Sequence, residues 1–378
     1  MPNEAINRRE FLKKCAKWTF AGLGISLGGG LLSSWTSRDA IDDFMKTSQA
    51  DLDFLAFSNK SLGYYFYIIQ QEAANRAALA RGWEFQALVA DFDAGKQSRQ
   101  LAEFIERKPV ALIADPIDSE GFTLALESAS LHSIPVGIID TPLTGGGEAA
   151  ITIAFDNYKG GEMAAGIIVD LLVQKYGKPR GTVLNCYGQL SSSAWRLRKE
   201  GFEAYLDRYP DIRLLSVPTE GDIMKMYDAT IEALTQMPQL DAIHAPSETP
   251  ARGVYEALKT KNKLYPADSA EHIFFVTIDG EPIALQWIKE GYLDASISQD
   301  PIAYGEICVE MLEKQIQAGQ VPLGSYTNNR YYWKEAEIVS LACGPSLILP
   351  PYCLDRSNVD DKRHWANIAF NDWGITYQ

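Results

Sequence analysis

From residue 51 onward, short apolar runs alternate with longer amphipathic stretches, and no other feature limits the possible folds as strongly. The runs "LDFLAFS", "EFQALVAD", "VALIADP" and "PVGIID" form one series. A second series follows in "GTVLNCYG", "IRLLSV", "LDAIHAP", "IFFVTIDG" and "LDASISQ". Each run is nearly continuous in apolar residues, as strands are when both faces of a parallel sheet are covered. Helical stretches lie between them, at 62–81 and 95–107 in the first series and in "AWRLRKEGFEAYLDRY", "MYDATIEALTQM", "TPARGVYEALK" and "EPIALQWIKEG" in the second. Alternation at this spacing predicts βαβ units. The expected fold class is α/β, with two similar doubly wound parallel-sheet lobes of roughly 100–150 residues each. A chain of 378 residues, 46% hydrophobic, holds a core that needs no disulfide or metal staple.

The N-terminus reads as an address. In "NRREFLKKCAKWTFAGLGISLGGGLL" a basic segment precedes a Gly-rich apolar run. The run is shorter than the roughly 20 residues a membrane-spanning helix takes, which predicts an export signal. Arg8 to Lys13 fit the pattern R-R-x-F-L-K, which is similar to the twin-arginine signal. Residues 1–49 are therefore set apart as a signal and linker, with the twin-arginine translocase as partner and the periplasm as destination. No clean A-x-A site follows, so an uncleaved signal would keep the protein at the membrane.

Net charge is -14, which argues against nucleic acid and anionic lipid as partners. The cysteines show no C-x-x-C spacing and the four histidines no metal-ligand spacing. No Gly-x-Gly-x-x-Gly or Walker loop follows the first strand. No cofactor is expected. Cys343 and Cys353 are the cysteines expected to pair in an oxidising compartment.

In open parallel sheets ligands sit beyond the carboxyl ends of the strands. The polar and aromatic residues there are Asn59 with Tyr64–Tyr67, Asp115, Asp140, Asp156, Asn157, Gln189, Trp195, Arg196, Ser247, Glu248, Asp279 and Gln299. Singly, a strand-end Asp serves as often to cap a helix or form a turn. Together they offer carboxylates, amides, a guanidinium and rings without a nucleophile–base pair, which suits a hydroxyl-rich ligand. Trp287, Trp333, Trp365 and Trp373 read as packing. In "SLGYYFYIIQ" the stripe Ile69, Ala73, Ala77, Ala80 marks the core side at about 100° per residue. Phe66 then lies on the stripe and Tyr65 at its edge, with Tyr64 and Tyr67 pointing elsewhere.

Four segments carry a family resemblance: "FDNYKGGEMAAG" at Phe155, "RLRKEGFEAYL" at Arg196, "VTIDGEPIALQWIKEGYLDASISQDP", and "DRSNVDD" at Asp355. In this order the chain resembles a type I periplasmic sugar-binding protein of the ribose/galactose group. The resemblance implies ligand contacts from Asp140, Arg196, Asp279 and Gln299. It also implies an aromatic pair within Tyr64, Tyr65 and Phe66, with Tyr65 favoured. Three positions depart from the ribose-binding pattern: Thr141 stands where those members have Arg, Ser247 where they have Asn, and Gly221 where an aromatic falls. The resemblance further implies three hinge crossings, near Phe155, at 299–300 and within 345–356. These would divide the chain into a lobe of 50–154 plus 300–348 and a lobe of 155–299 plus 349–378. Closure on a sugar or polyol and delivery to an ABC transporter permease follow from it. Two alternatives stay open: a sensor that presents the sugar to a receptor or kinase, and a carbohydrate-active enzyme using Asp140 and Asp279.

Overall fold

The computed structural model describes residues 53–376; the export signal expected at 1–49 lies outside them. One lobe is built on β1 (Phe54–Asn59), β2 (Glu84–Val89), β3 (Ala111–Ala114), β4 (Val136–Asp140) and β5 (Ile151–Phe155), in the spatial order β2-β1-β3-β4-β5. The other repeats that order with β6 (Gly181–Tyr187), β7 (Ile212–Pro218), β8 (Ala242–Ala245), β9 (Phe274–Asp279) and β10 (Ala295–Ser298), as β7-β6-β8-β9-β10. All these pairings are parallel. The fold is that of two doubly wound α/β lobes. Each sheet reverses its strand order beside its first strand, where such sheets open a binding crevice.

The first lobe carries α1 (Tyr65–Leu79), α2 (Ala94–Glu106) and α3 (Thr123–Leu131). The second carries α4 (Asn157–Tyr176), α5 (Ser193–Leu206), α6 (Ile223–Gln236), α7 (Glu248–Thr260) and α8 (Pro282–Glu290). A further helix, α9 (Pro301–Ala318), returns to the first lobe and packs on α1, β4 and β5.

The sheets are not purely parallel. β11 (Gly324–Thr327) and β12 (Glu335–Leu341) add antiparallel strands, and β13 (Gly344–Leu349) joins them to β5 in parallel. The region leading to the third crossing is thus a three-stranded extension of the first lobe's sheet. β14 (Tyr352–Leu354) then pairs antiparallel with β10, and α10 (Trp365–Asn371) follows.

The chain passes between lobes after β5, after β10 and after β13. The first two passages end in a helix cap. The Asp156 side chain accepts from the Lys159 N–H at 2.9 Å, and Asp300 accepts from the Ala303 N–H at 3.0 Å. Each cap satisfies an otherwise orphaned donor and fixes where the chain turns. The third passage is Pro350-Pro351, whose locked φ angles stiffen it.

That passage also corrects the expected disulfide. Cys343 sits at the β12–β13 turn, against the Leu143 and Gly145 carbonyls, while Cys353 lies in β14 opposite Ile297. A six-residue strand separates them, which spans about 20 Å. Both are free thiols.

The glycines of the two motif segments have a packing cause. A Cβ at Gly161 would lie 2.1 Å from the Arg198 carbonyl oxygen, and one at Gly201 2.1 Å from that of Tyr158. Helices α4 and α5 therefore touch backbone to backbone, which sets the position of Arg198. Gly161→Ala is expected to destabilise the protein by ~1–3 kcal/mol through overpacking. Gly166→Ala, which meets only the Tyr205 side chain at 3.3 Å, should be neutral or slightly stabilising. Urea midpoints of the two variants compare them directly.

Candidate ligand-binding cleft

The carboxyl ends of both sheets face each other across a closed seam. The Tyr64 hydroxyl donates to the Gly221 carbonyl at 2.8 Å. The Ser193 N–H donates to Ser119 Oγ at 3.0 Å, and the Ser193 hydroxyl donates to the Pro142 carbonyl at 2.7 Å. Glu281, at the head of α8, accepts from the backbone of Phe66. It serves α1, whose first turn has no acidic residue and whose N-cap Tyr64 makes no side-chain cap.

Asp140 ends β4 and Asp279 ends β9. Both hold positive φ, 61° and 122°, where non-glycine residues are strained; such strain concentrates at functional sites. Each is paired with one buried cation. Asp279 Oδ1 receives Arg198 at 2.9 Å and the Gln299 amide at 2.5 Å. Asp140 Oδ2 receives Lys60 at 2.7 Å. Lys60 also reaches Asp115 at 2.7 Å and the Thr141 hydroxyl.

Arg198 ties several elements together. It donates to Asn157 Oδ1 at 2.8 Å and to the Pro246 carbonyl at 2.5 Å. Gln299 in turn accepts from the Tyr304 hydroxyl at 2.7 Å. The ion pair thus touches the first two hinge passages and the ends of β8 and β9.

Arg196, the guanidinium expected in the site, is not there. Its side chain is half-exposed, donates to the Leu190 carbonyl at 3.2 Å and lies 3.8 Å from Glu200. Arg198 takes the position. The two residues are about 200° apart around α5. Arg198 shares the buried face with Ala194, Gly201 and Phe202, a stripe legible in the sequence.

The aromatic pair also shifts. Tyr65 turns away from the carboxylates. It stacks on Trp365 at 5.9 Å, donates to the Ile375 carbonyl at 2.8 Å and lines a groove between α8 and α10. Phe66 packs edge-on against Tyr67, Tyr304 and Trp365. Tyr64 and Tyr67 face the seam instead, with ring centroids 5.4 Å apart and Phe92 closing the cluster. Burial pushes the Tyr67 phenol well above its usual range, and the charges of Asp140, Asp115 and Asp279 push it further. It therefore sits among carboxylates of both lobes. The core stripe holds for Phe66, and Tyr64 and Tyr67 do point away from it; Tyr65, which the resemblance favours, is not separated by burial, since the first two turns of α1 are buried all round, from Tyr65 to Gln71.

The other expected residues fall as follows. Asn59 is spent on α1, donating to the Tyr67 carbonyl at 3.2 Å and to Gln71 Oε1 at 3.0 Å. Ser247 is buried at the N-cap of α7 and favours the charged form of Asp279. Glu248 reaches beneath β9 and β10, accepting from Thr277 at 2.7 Å and Ser296 at 2.5 Å. Trp195 packs between two glycines: a Cβ at Gly188 would lie 2.1 Å from its ring, and one at Gly221 2.2 Å. Its indole fills the space that a side chain at 221 would take. Lys60, Arg198, Glu281 and Tyr304 carry no signal in the sequence that marks them for the site, and Tyr67, named there with the strand-end rings, is not among the ligand contacts that the resemblance implies.

A model of the periplasmic binding protein domain family matches residues 55–320, and the chain belongs to that family. The ribose import binding protein of Bacillus subtilis is 28% identical over 71% of this chain and 83% of its own length. That of Haemophilus influenzae is 27% identical over 77% and 94%. The D-apiose import binding protein of Actinobacillus succinogenes is 26% identical over 71% and 84%. Among solved structures, a carbohydrate transporter solute-binding protein from Agrobacterium radiobacter in complex with D-arabinose aligns with TM-score 0.71 at 18% identity, covering 85% of this chain and 100% of that one. One from Bacillus halodurans with bound myo-inositol gives 0.69 at 20%, covering 82% and 97%. These structures share the two-lobed fold.

The seam concentrates buried acids, and this predicts a pH dependence. Burial, with the Asp279 charge, lifts Glu281 to about 7; burial lifts Asp300 to about 7; burial, opposed by Lys60, leaves Asp115 at about 8. A carboxyl raised in the folded state holds a proton that the unfolded chain has released, so stability falls as pH rises towards the folded pKa. His272 acts in the same direction: burial opposes its charge, but Asp294 raises it overall. His244, which burial pulls down to about 3, and His364, also lowered by burial, act oppositely, but only below about pH 6.5. Between about pH 6.5 and 8 the thermal midpoint should therefore fall by a few degrees, as scanning calorimetry would read.

Proposed function

We propose that this protein captures a sugar or sugar-like polyol between its lobes and delivers it to an ABC importer. The observation that carries the reading is the facing pair Asp140 and Asp279, each held by one buried cation. A carboxylate oxygen that has a cation behind it remains an acceptor for a ligand hydroxyl, and such charge-assisted bonds are strong. The rings of Tyr64 and Tyr67 on one wall, and of Trp195 behind Gly221 on the other, supply flat apolar faces for a sugar ring. Relatives named as ribose and D-apiose import binding proteins support the ligand class and the importer.

The mechanism is closure. A ligand shifts the lobes towards the closed state by the contacts it makes to both. Tyr64–Gly221 and Ser193–Pro142 are contacts that join the lobes directly. Binding goes forward without turnover in this reading. Asp140 and Asp279 each give an oxygen to a buried cation, at 2.7 and 2.9 Å, so the pair is built to hold its geometry rather than to trade roles as cleavage of a glycoside requires.

Two experiments test it. Calorimetry against ribose, allose, arabinose and myo-inositol should find a binder. Arg198→Lys, which loses the planar fork, should then weaken that binder at least tenfold. Arg196→Ala should leave affinity within about twofold; the reverse pattern would overturn the assignment. Export through the twin-arginine translocase to the periplasm is the second part of the proposal. Replacing Arg8 and Arg9 by Lys keeps the charge and should leave the protein in the cytoplasm, as fractionation and blotting would show.

A further inference from the structure

We infer that Lys60 sets the ligand class of this cleft, selecting uncharged polyhydroxy ligands over amino sugars. The inference rests on the sugar-binding reading above. Lys60 is buried at the carboxyl end of β1. An ammonium has three donors and no acceptor. Its contacts are Asp115 Oδ1 and Asp140 Oδ2, each at 2.7 Å, and the Thr141 hydroxyl. None is left for a ligand. Lys60 therefore acts through the two carboxyl groups: its single positive charge sits behind Asp140 and holds it in place, with Asp115 on its other side.

The second oxygen of Asp115 is also taken, by the Gln70 amide at 2.6 Å. The Tyr67 ring lies 5.5 Å from the ammonium, a distance at which a ring face favours a cation. Burial opposes the Lys60 charge, but Asp115 and Asp140 together outweigh it and keep the ammonium charged. On the facing wall Arg198 does for Asp279 what Lys60 does for Asp140. A ligand ammonium approaching either carboxylate would meet a cation directly behind it, whereas a hydroxyl needs only the free oxygen lone pairs.

The position explains a departure in the sequence. Where ribose-binding members carry Arg, this chain has Thr141, whose hydroxyl accepts from Lys60. The cation reaches the end of β4 from β1 instead. In that geometry it touches no ligand atom, so it is a positioning and charge-matching residue.

The test compares wild-type protein with Lys60→Gln and with the double variant Lys60→Gln/Thr141→Arg, by calorimetry, with thermal melts to verify folding. Ribose, allose, arabinose and myo-inositol are the neutral probes; glucosamine and galactosamine are the cationic ones. Wild type should bind its best neutral probe at least tenfold tighter than either amino sugar. Lys60→Gln should narrow that ratio at least tenfold, and the double variant should widen it again; a residue that merely props the fold would show no such return. An amino sugar that binds wild type as tightly as any neutral probe overturns the inference and leaves the sugar-binding reading intact. So does a folded Lys60→Gln protein with unchanged selectivity. If Lys60→Gln does not fold, the wild-type comparison decides alone. Binding of neither class by wild type overturns both readings.

Discussion

The structure depends on one buried ion pair, Arg198 with Asp279 at 2.9 Å. Taking two charges out of water is costly, and the cost is offset only when every remaining donor and acceptor is satisfied. Here the satisfying groups are the parts that must be coordinated. Asn157 belongs to the first passage between lobes, Pro246 to the end of β8, and Gln299 to the second passage. Even the backbone carbonyl of Asp279 is used, by the Trp365 indole at 3.0 Å. The group that holds the Asp279 carboxylate also touches two hinge passages, so under the proposed function occupancy and lobe angle are mechanically linked.

The departures from the ribose-binding pattern become intelligible as relocations. The cation absent at 141 comes from Lys60, and the ring absent at 221 comes from Trp195, whose edge lies where a side chain there would be. In this chain a cation and a flat ring stand beside those two positions, supplied from neighbouring elements. A comparison position by position sees two losses; the folded chain shows two substitutions in space.

This also marks the border of what the sequence could disclose. The strand–helix alternation was legible because parallel strands must be apolar throughout. The placing of Asp140, Asp279 and Gln299 at strand ends is legible in the sequence, since each follows an apolar run. The motif as a string points to Arg196, whereas the buried face of α5 runs through Ala194, Arg198 and Phe202. Which off-core ring of α1 faces the seam is not legible, because a helix buried on every side has no single stripe to separate core from cleft. Lys60 left no local signal at all. A lysine after a strand is ordinarily solvated, and only the folded sheet brings Asp115 and Asp140, far apart in the chain, to the same ammonium. Glu281 was hidden for the same reason, since the helix it caps belongs to the other lobe.

The segment after β14 is more than an appendage. Trp365 is fully buried between Tyr65 and Phe66 of one lobe and the end of β9 in the other. The carbonyl of Ile375, near the chain's end, receives the Tyr65 hydroxyl, and Trp373 lies under Arg76 of α1 at 4.8 Å. The chain therefore carries its own optical gauge. The Trp365 indole is dry while the lobes are together, and the closure proposed above would wet it on opening, so a variant that keeps Trp365 as its single tryptophan among the chain's eight would report the opening angle by the colour of its fluorescence.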